Sequence, residues 1–154
     1  MSKQICPICG ENSLDRAIKR VSYEYKLHTF YIDQPGEWCS SCGEGILYPD
    51  DHKAVQVEIQ EQKSLIDGLL TPSAIQKIRE SLKLTQKQAG QLFGGGINAF
   101  NRYETGVNPV PRPLSLLLIL LEKHPKQLAE LKNISQQYVE SKNDQNHTND
   151  DMFL

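Results

Sequence analysis

Cys6-Pro7-Ile8-Cys9-Gly10 is answered, after 29 intervening residues from its second cysteine, by Cys39-Ser40-Ser41-Cys42-Gly43, and the two steps use every cysteine of the 154-residue chain. Four thiolates in two Cys-x-x-Cys pairs make a closed tetrahedral zinc shell, with ligands at about 2.3 Å. The spacing therefore predicts one structural Zn2+ per chain, held by Cys6, Cys9, Cys39 and Cys42. A full shell has no position for water or substrate, so the sequence does not read as an enzyme. The interval suits a two- or three-stranded excursion, and a glycine after each pair suits a tight turn at positive φ. A disulfide framework would need an export signal, and residues 1–30 lack the apolar core of one. A thioredoxin-like pair needs one motif in a βαβ setting, not two in a small irregular unit. His28, His52, His124 and His147 are scattered without ligand spacing.

Around the cysteines, residues 1–48 read as a metal-stapled β unit. Val21, Tyr23, Tyr25 and Leu27 alternate with Ser22, Glu24 and Lys26, the period-2 signature of a strand. So short a segment buries too little apolar surface to stand alone, and metal binding supplies the deficit. Pro49-Asp50-Asp51 opens a helix with Val55, Ile59, Ile66 and Leu70 as its apolar stripe. Gly68 and the Leu70-Thr71-Pro72 step close it. The first domain is thus expected over residues 1–68, α+β in class.

Residues 69–139 are expected to form an all-α domain of five helices. Thr71 caps the first of them and Pro72 takes its first position, with Ile75, Ile78 and Leu82 facing inward. Thr85 starts the second, and Gln88 three residues on completes a capping box. Gly94-Gly95-Gly96 break the chain before a third helix from Ile97 to Glu104, stopped by Gly106. Two short helices across a glycine turn make a helix-turn-helix. Pro109, Pro111 and Pro113 lead into an apolar helix from Leu114 to Lys123, and Gln127 to about Tyr138 forms a more polar last one. Residues 140–154 have a disordered composition, ending in Met152-Phe153-Leu154.

Charge separates the same blocks. Residues 1–70 carry 7 Lys/Arg against 11 Asp/Glu, residues 71–132 carry 9 against 4, and residues 133–154 carry 1 against 4. The middle block, at +5, is the one suited to phosphates. No apolar run approaches the ~20 residues that span a bilayer, so no membrane role is expected, and reduced thiols with no export signal set the expected location in the cytoplasm. In the third helix Ala99, Phe100 and Tyr103 share one face, while Asn98, Asn101, Arg102 and Thr105 share the other. Asn98 and Arg102, one turn apart, suit adenine and guanine edges in a major groove. Thr85, Gln86 and Lys87 at the preceding helix start suit phosphate oxygens.

The run from Leu84-Thr85-Gln86-Lys87-Gln88 to Arg102-Tyr103-Glu104-Thr105-Gly106 resembles the Xre/Cro-type helix-turn-helix. With the four cysteines and the Phe93-Gly94-Gly95-Gly96-Ile97-Asn98-Ala99-Phe100-Asn101-Arg102-Tyr103-Glu104 run, residues 4–132 resemble the MqsA family, the YgiT-type zinc-finger antitoxins. The resemblance implies a homodimer whose zinc domain neutralises an MqsR-type endoribonuclease toxin. It also implies a C-terminal domain that represses the operon by binding palindromic double-stranded DNA, with Asn98 and Arg102 as base readers. An acidic zinc domain suits a basic ribonuclease, and the Leu114–Leu121 helix suits a dimer seam. The alternative is a stand-alone zinc-containing Xre-type regulator with no toxin partner.

Overall fold

The computed structural model describes residues 2–147, which divide into two compact units, 2–73 with Arg102–Val110 and Ala74–Asn101 with 111–147. In the first unit, β1 (Gln4–Ile5), β2 (Asn12–Tyr25), β3 (His28–Cys39) and β4 (Gly45–Ile46) form one antiparallel sheet in sequence order. The 29-residue interval is thus spent on a single long hairpin, and its register brings Leu14 opposite Cys39 at one end and Tyr25 opposite His28 at the other.

Val21, Tyr23 and Tyr25 are half-buried and alternate with exposed Ser22 and Glu24, as the period-2 pattern predicts. Leu27 does not continue it. Lys26 and Leu27 form the two-residue hairpin loop, both at positive φ (45° and 65°), and Leu27 is fully exposed. A two-residue hairpin loop of this handedness requires positive φ at both central positions, whatever the side chains prefer. Along β3, Ile32, Gln34 and Gly36 alternate inward, and α1 (Pro49–Asp67) packs on this strand.

Helix α1 begins as expected, with Pro49 in its first turn and Asp51 accepting the Tyr48 N–H at 2.8 Å. The buried Asp51 carboxylate also pairs with Arg16 of β2, and the guanidinium holds it below the ordinary carboxylate range. Its backbone carbonyl accepts from Gln34 Nε2 at 3.1 Å. At the far end Gly68 takes the left-handed conformation, and Leu69 N–H returns to Ser64 O at 2.9 Å. The hairpin tip is tied to this end of the helix: Tyr25 Oη donates to Asp67 at 2.9 Å, and Lys26 Nζ does so at 2.6 Å.

The second unit contains α2 (Pro72–Ser81) from Ala74 onward, α3 (Gln86–Phe93), the start of α4 (Ala99–Glu104), α5 (Arg112–Lys123) and α6 (Gln127–His147). Its buried side chains include Ile75, Ile78, Leu82, Leu84, Phe100, Leu118 and Leu121. Phe100 lies against Phe93, with ring centroids 5.8 Å apart. Helix α6 runs nine residues past the end expected near Tyr138, because a polar sequence with few helix breakers can prolong a helix already nucleated. The rest of the expected disordered tail, with Met152-Phe153-Leu154, lies outside the described residues.

The capping box at α3 is present in both halves. Gln88 N–H donates to Thr85 Oγ1 at 3.1 Å, and Thr85 N–H donates to Gln88 Oε1 at 2.9 Å. Thr85→Ala removes the first of these, and the expected result is a loss of about 1 kcal/mol in the melting of the helical unit. An unchanged melt would mean that α3 is held by packing alone.

Candidate metal centre and helix-turn-helix

The two knuckles are built alike. In each, the N–H of the first cysteine donates to a carbonyl five residues on, Cys6 to Glu11 at 2.8 Å and Cys39 to Glu44 at 2.9 Å. In each, the glycine N–H then returns to the carbonyl of that cysteine, Gly10 to Cys6 at 2.8 Å and Gly43 to Cys39 at 3.0 Å. Both turns need positive φ at the glycine, +80° and +79°. The hairpin register then sets one knuckle against the other, since β2 starts just after Gly10 and β3 ends at Cys39.

The result is four sulfurs within 4.8 Å of one another. Cys6 Sγ lies 3.9 Å from Cys42 Sγ, and Cys9 Sγ lies 3.6 Å from Cys39 Sγ. A tetrahedral zinc–thiolate shell with bonds of about 2.3 Å has edges of roughly 3.8 Å, so these sulfurs fit the ion. All four cysteines expected as ligands are brought together. Cys6 and Cys39 are buried in a cluster with Leu14 and half-buried Ile46, while Cys9 and Cys42 face outward.

The sulfurs are not equivalent. Ser13 Oγ lies 2.9 Å from Cys39 Sγ, and the Cys42 N–H donates to the same sulfur at 3.4 Å. These bonds hold the Cys39 thiol down to about 6. Cys42 is pushed up to about 12: a backbone hydrogen bond at Glu44 works against the rise, but partial desolvation of its sulfur and the neighbouring sulfurs outweigh it. Cys9 is raised on the same balance. A cation among the sulfurs reverses this logic by favouring four thiolates at once. Ser13 carried no signal in the sequence, because its role depends on the register that sets β2 beside Cys39.

The expected DNA-reading residues are all placed on the surface or near it. Asn98, Asn101 and Arg102 are exposed, as are Thr85 and Lys87, while Gln86 is half-buried. Ala99 and Phe100 are buried and Tyr103 half-buried, matching the inward face expected of this helix. Its start is later than expected. Gly94, Gly95 and Gly96 all sit near φ +90°, outside the helical region, so Ile97 and Asn98 form a turn and α4 opens at Ala99. Ala99 N–H closes that turn on Gly96 O at 3.1 Å. Asn98 therefore flanks the helix N-terminus rather than lying within the helix. Thr105 falls beyond α4, and its carbonyl accepts from Gln56 Nε2 at 2.7 Å.

Gly90 was missed. It is buried inside α3, where an added Cβ would overlap the carbonyl oxygen of Gly96. The only signal for it was an isolated glycine within a helical pattern, which often marks a close backbone approach.

A family model described as the antitoxin component of a bacterial toxin-antitoxin system, MqsA, matches residues 4–132. The Antitoxin MqsA of Escherichia coli (strain K12) is 35% identical over 130 residues, which cover 82% of this chain and 98% of that protein.

Proposed function

The chain belongs to the MqsA antitoxin family, and on that premise we propose that it neutralises an MqsR-type ribonuclease toxin and represses its own operon as a homodimer. The toxin-binding part is the metal-bearing unit, and the ion is zinc. The four-sulfur constellation carries this reading, since its donor set and edge lengths suit tetrahedral zinc and leave no open coordination position. The ion then stabilises a surface and does no chemistry, so the protein acts by binding and not as an enzyme.

DNA recognition is assigned to α3, the glycine turn and α4. Asn98 and Arg102 read base edges, with Asn101 beside them, while Thr85, Gln86 and Lys87 meet phosphates at the start of α3. The Thr85 hydroxyl already accepts the Gln88 N–H, so its own proton remains for a phosphate oxygen. A two-fold protein dimer calls for a palindromic operator with half-sites about one helical turn or a multiple apart. No helix among the described residues is long and apolar enough to cross a membrane, and these roles place the protein in the cytoplasm.

The test is co-expression with the neighbouring reading frame. A small basic product that is toxic alone, harmless with this chain and co-purified with it carries the proposal. A harmless neighbour that never co-purifies leaves a zinc-containing regulator without a toxin. In gel-shift titrations against a panel of operator variants, Asn98→Ala or Arg102→Ala should each cost about 1–3 kcal/mol and relax preference at one base pair per half-site. Weakening that is uniform over every sequence would assign these side chains to phosphates instead.

A further inference from the structure

Arg102 is held in place by the turn that follows it, and that turn rests on α1. We propose that Gln56 of α1 is a positioning residue for Arg102, acting on base preference through the seat it gives to this turn. The inference rests on the base-reading role assigned above to Arg102. It adds a residue from a helix that no DNA-binding motif includes.

Arg102–Val110 belongs to the first unit, the unit of α1. The Arg102 carbonyl closes the end of α4, accepting the Val107 N–H at 2.9 Å and the Asn108 N–H at 3.2 Å. Gly106 allows that closure at φ +75°, the left-handed conformation common just past a helix end. The Arg102 backbone is thus tied directly to the turn, and a shift of one carries the other.

The turn in its place meets one turn of α1. Gln56 Nε2 donates to Thr105 O at 2.7 Å, between residues 49 apart in sequence. Gly106 is buried, and a Cβ there would lie 2.9 Å from Gln56 O and 3.1 Å from both Val57 Cα and Gln60 Cβ. The approach is therefore backbone against backbone, with the Gln56 amide as its directional bond. Helix α1 is itself fixed at both ends. Asp51 is held by Arg16 and Gln34, and Asp67 by Tyr25 and Lys26.

Base reading is sensitive to such a seat. A guanidinium that meets guanine O6 and N7 together must be aligned with the base edge, and sites of this kind tolerate errors of only about 0.5 Å and 10–20°. Thr105 stands three residues from Arg102, so losing its bond to Gln56 loosens the backbone that aims the guanidinium. Asn98 precedes the other end of α4, beside the turn that Ala99 N–H closes on Gly96 O. Its aim depends on those contacts and not on Gln56.

A double-mutant cycle in the full chain tests this. Gln56→Ala, Arg102→Ala and the double variant are titrated in gel shifts against the promoter fragment of the chain's own operon and against its single-base-pair variants. Gln56→Ala is expected to weaken binding about three- to tenfold, the range one such hydrogen bond spans. The loss should flatten preference at the base pair that Arg102→Ala also flattens, and spare the one read by Asn98. In the Arg102→Ala background the same change should cost less than about twofold, because groups acting through one another are not additive. Losses that add, weakening that is uniform over every base pair, or no weakening at all would each overturn the role of Gln56 and leave Arg102 as a reader. Should Gln56→Ala misfold, Gln56→Met decides, being of similar length without the donor. If Arg102→Ala itself flattens no base pair, the base-reading assignment fails and this proposal falls with it.

Discussion

Removing the metal, by chelation or by Cys39→Ser, is expected to unfold the β2–β3 sheet while the helices of the second unit keep their far-UV signal. The buried apolar side chains of the first unit are few. Leu14, Ile32, Val55 and Val110 are joined there by Cys6 and Cys39, which are themselves the expected ligands. Structural zinc sites in small fingers contribute on the order of 10 kcal/mol, comparable to the whole stability of an ordinary domain, so the sheet cannot survive its loss. Trp38, the sole tryptophan, precedes Cys39 in β3 and reports on this unit alone by fluorescence. Two separate transitions are expected, Trp38 following the metal and ellipticity following the helices. A single concerted loss of both would deny that the units are independent.

The same centre should release its ion on acidification. Binding requires four thiolates, and without metal Cys42 keeps its proton to about 12 while Cys39 gives it up near 6. Zinc must therefore displace protons, so apparent affinity climbs with pH and falls as protons compete. Metal-release titrations followed with a colorimetric chelator should show stronger retention at pH 8 than at pH 6. The opposite trend would mean that the sulfurs are not the ligands.

Local signals were legible where one residue determines the backbone. The Thr85–Gln88 box, the Gly68 stop, the two cysteine knuckles and the Pro72 helix start are all decided within a few residues, and each is in place. What escaped depends on atoms far apart in sequence. Ser13 meets Cys39 only because the hairpin register places them side by side, and Arg16 meets Asp51 only because α1 packs on β3. Alternation carries Leu27 into the strand because the period-2 pattern does not mark where a hairpin must turn. The start of α4 was misplaced for a related reason: a glycine run announces a break in a helix but not how many residues it takes to end.

Gly90→Ala is the sharper test of the helix-turn-helix, because two rules predict opposite signs for it. Within a helix, replacing glycine by alanine ordinarily stabilises by about 1 kcal/mol through lower backbone entropy. Here the added Cβ would overlap Gly96 O, with Gly96 C 3.1 Å and Ile97 Cα 3.4 Å away, and all three are backbone atoms. A side chain could rotate aside, but a carbonyl that also accepts the Ala99 N–H cannot move without shifting the turn and the start of α4. Overpacking of this kind costs about 1–3 kcal/mol, occasionally more. Since the displaced atoms immediately precede Asn98, the cost should fall on operator binding as well as on folding. The expected outcome is a lower melting temperature and specific DNA affinity reduced by about 100-fold, close to 3 kcal/mol. Gln91→Ala, at the next and exposed position of α3, should change neither. A Gly90→Ala protein that melts higher and binds its operator normally would show that α3 does not press on this turn, and the assignment of Asn98 as a positioned base reader would fall with it.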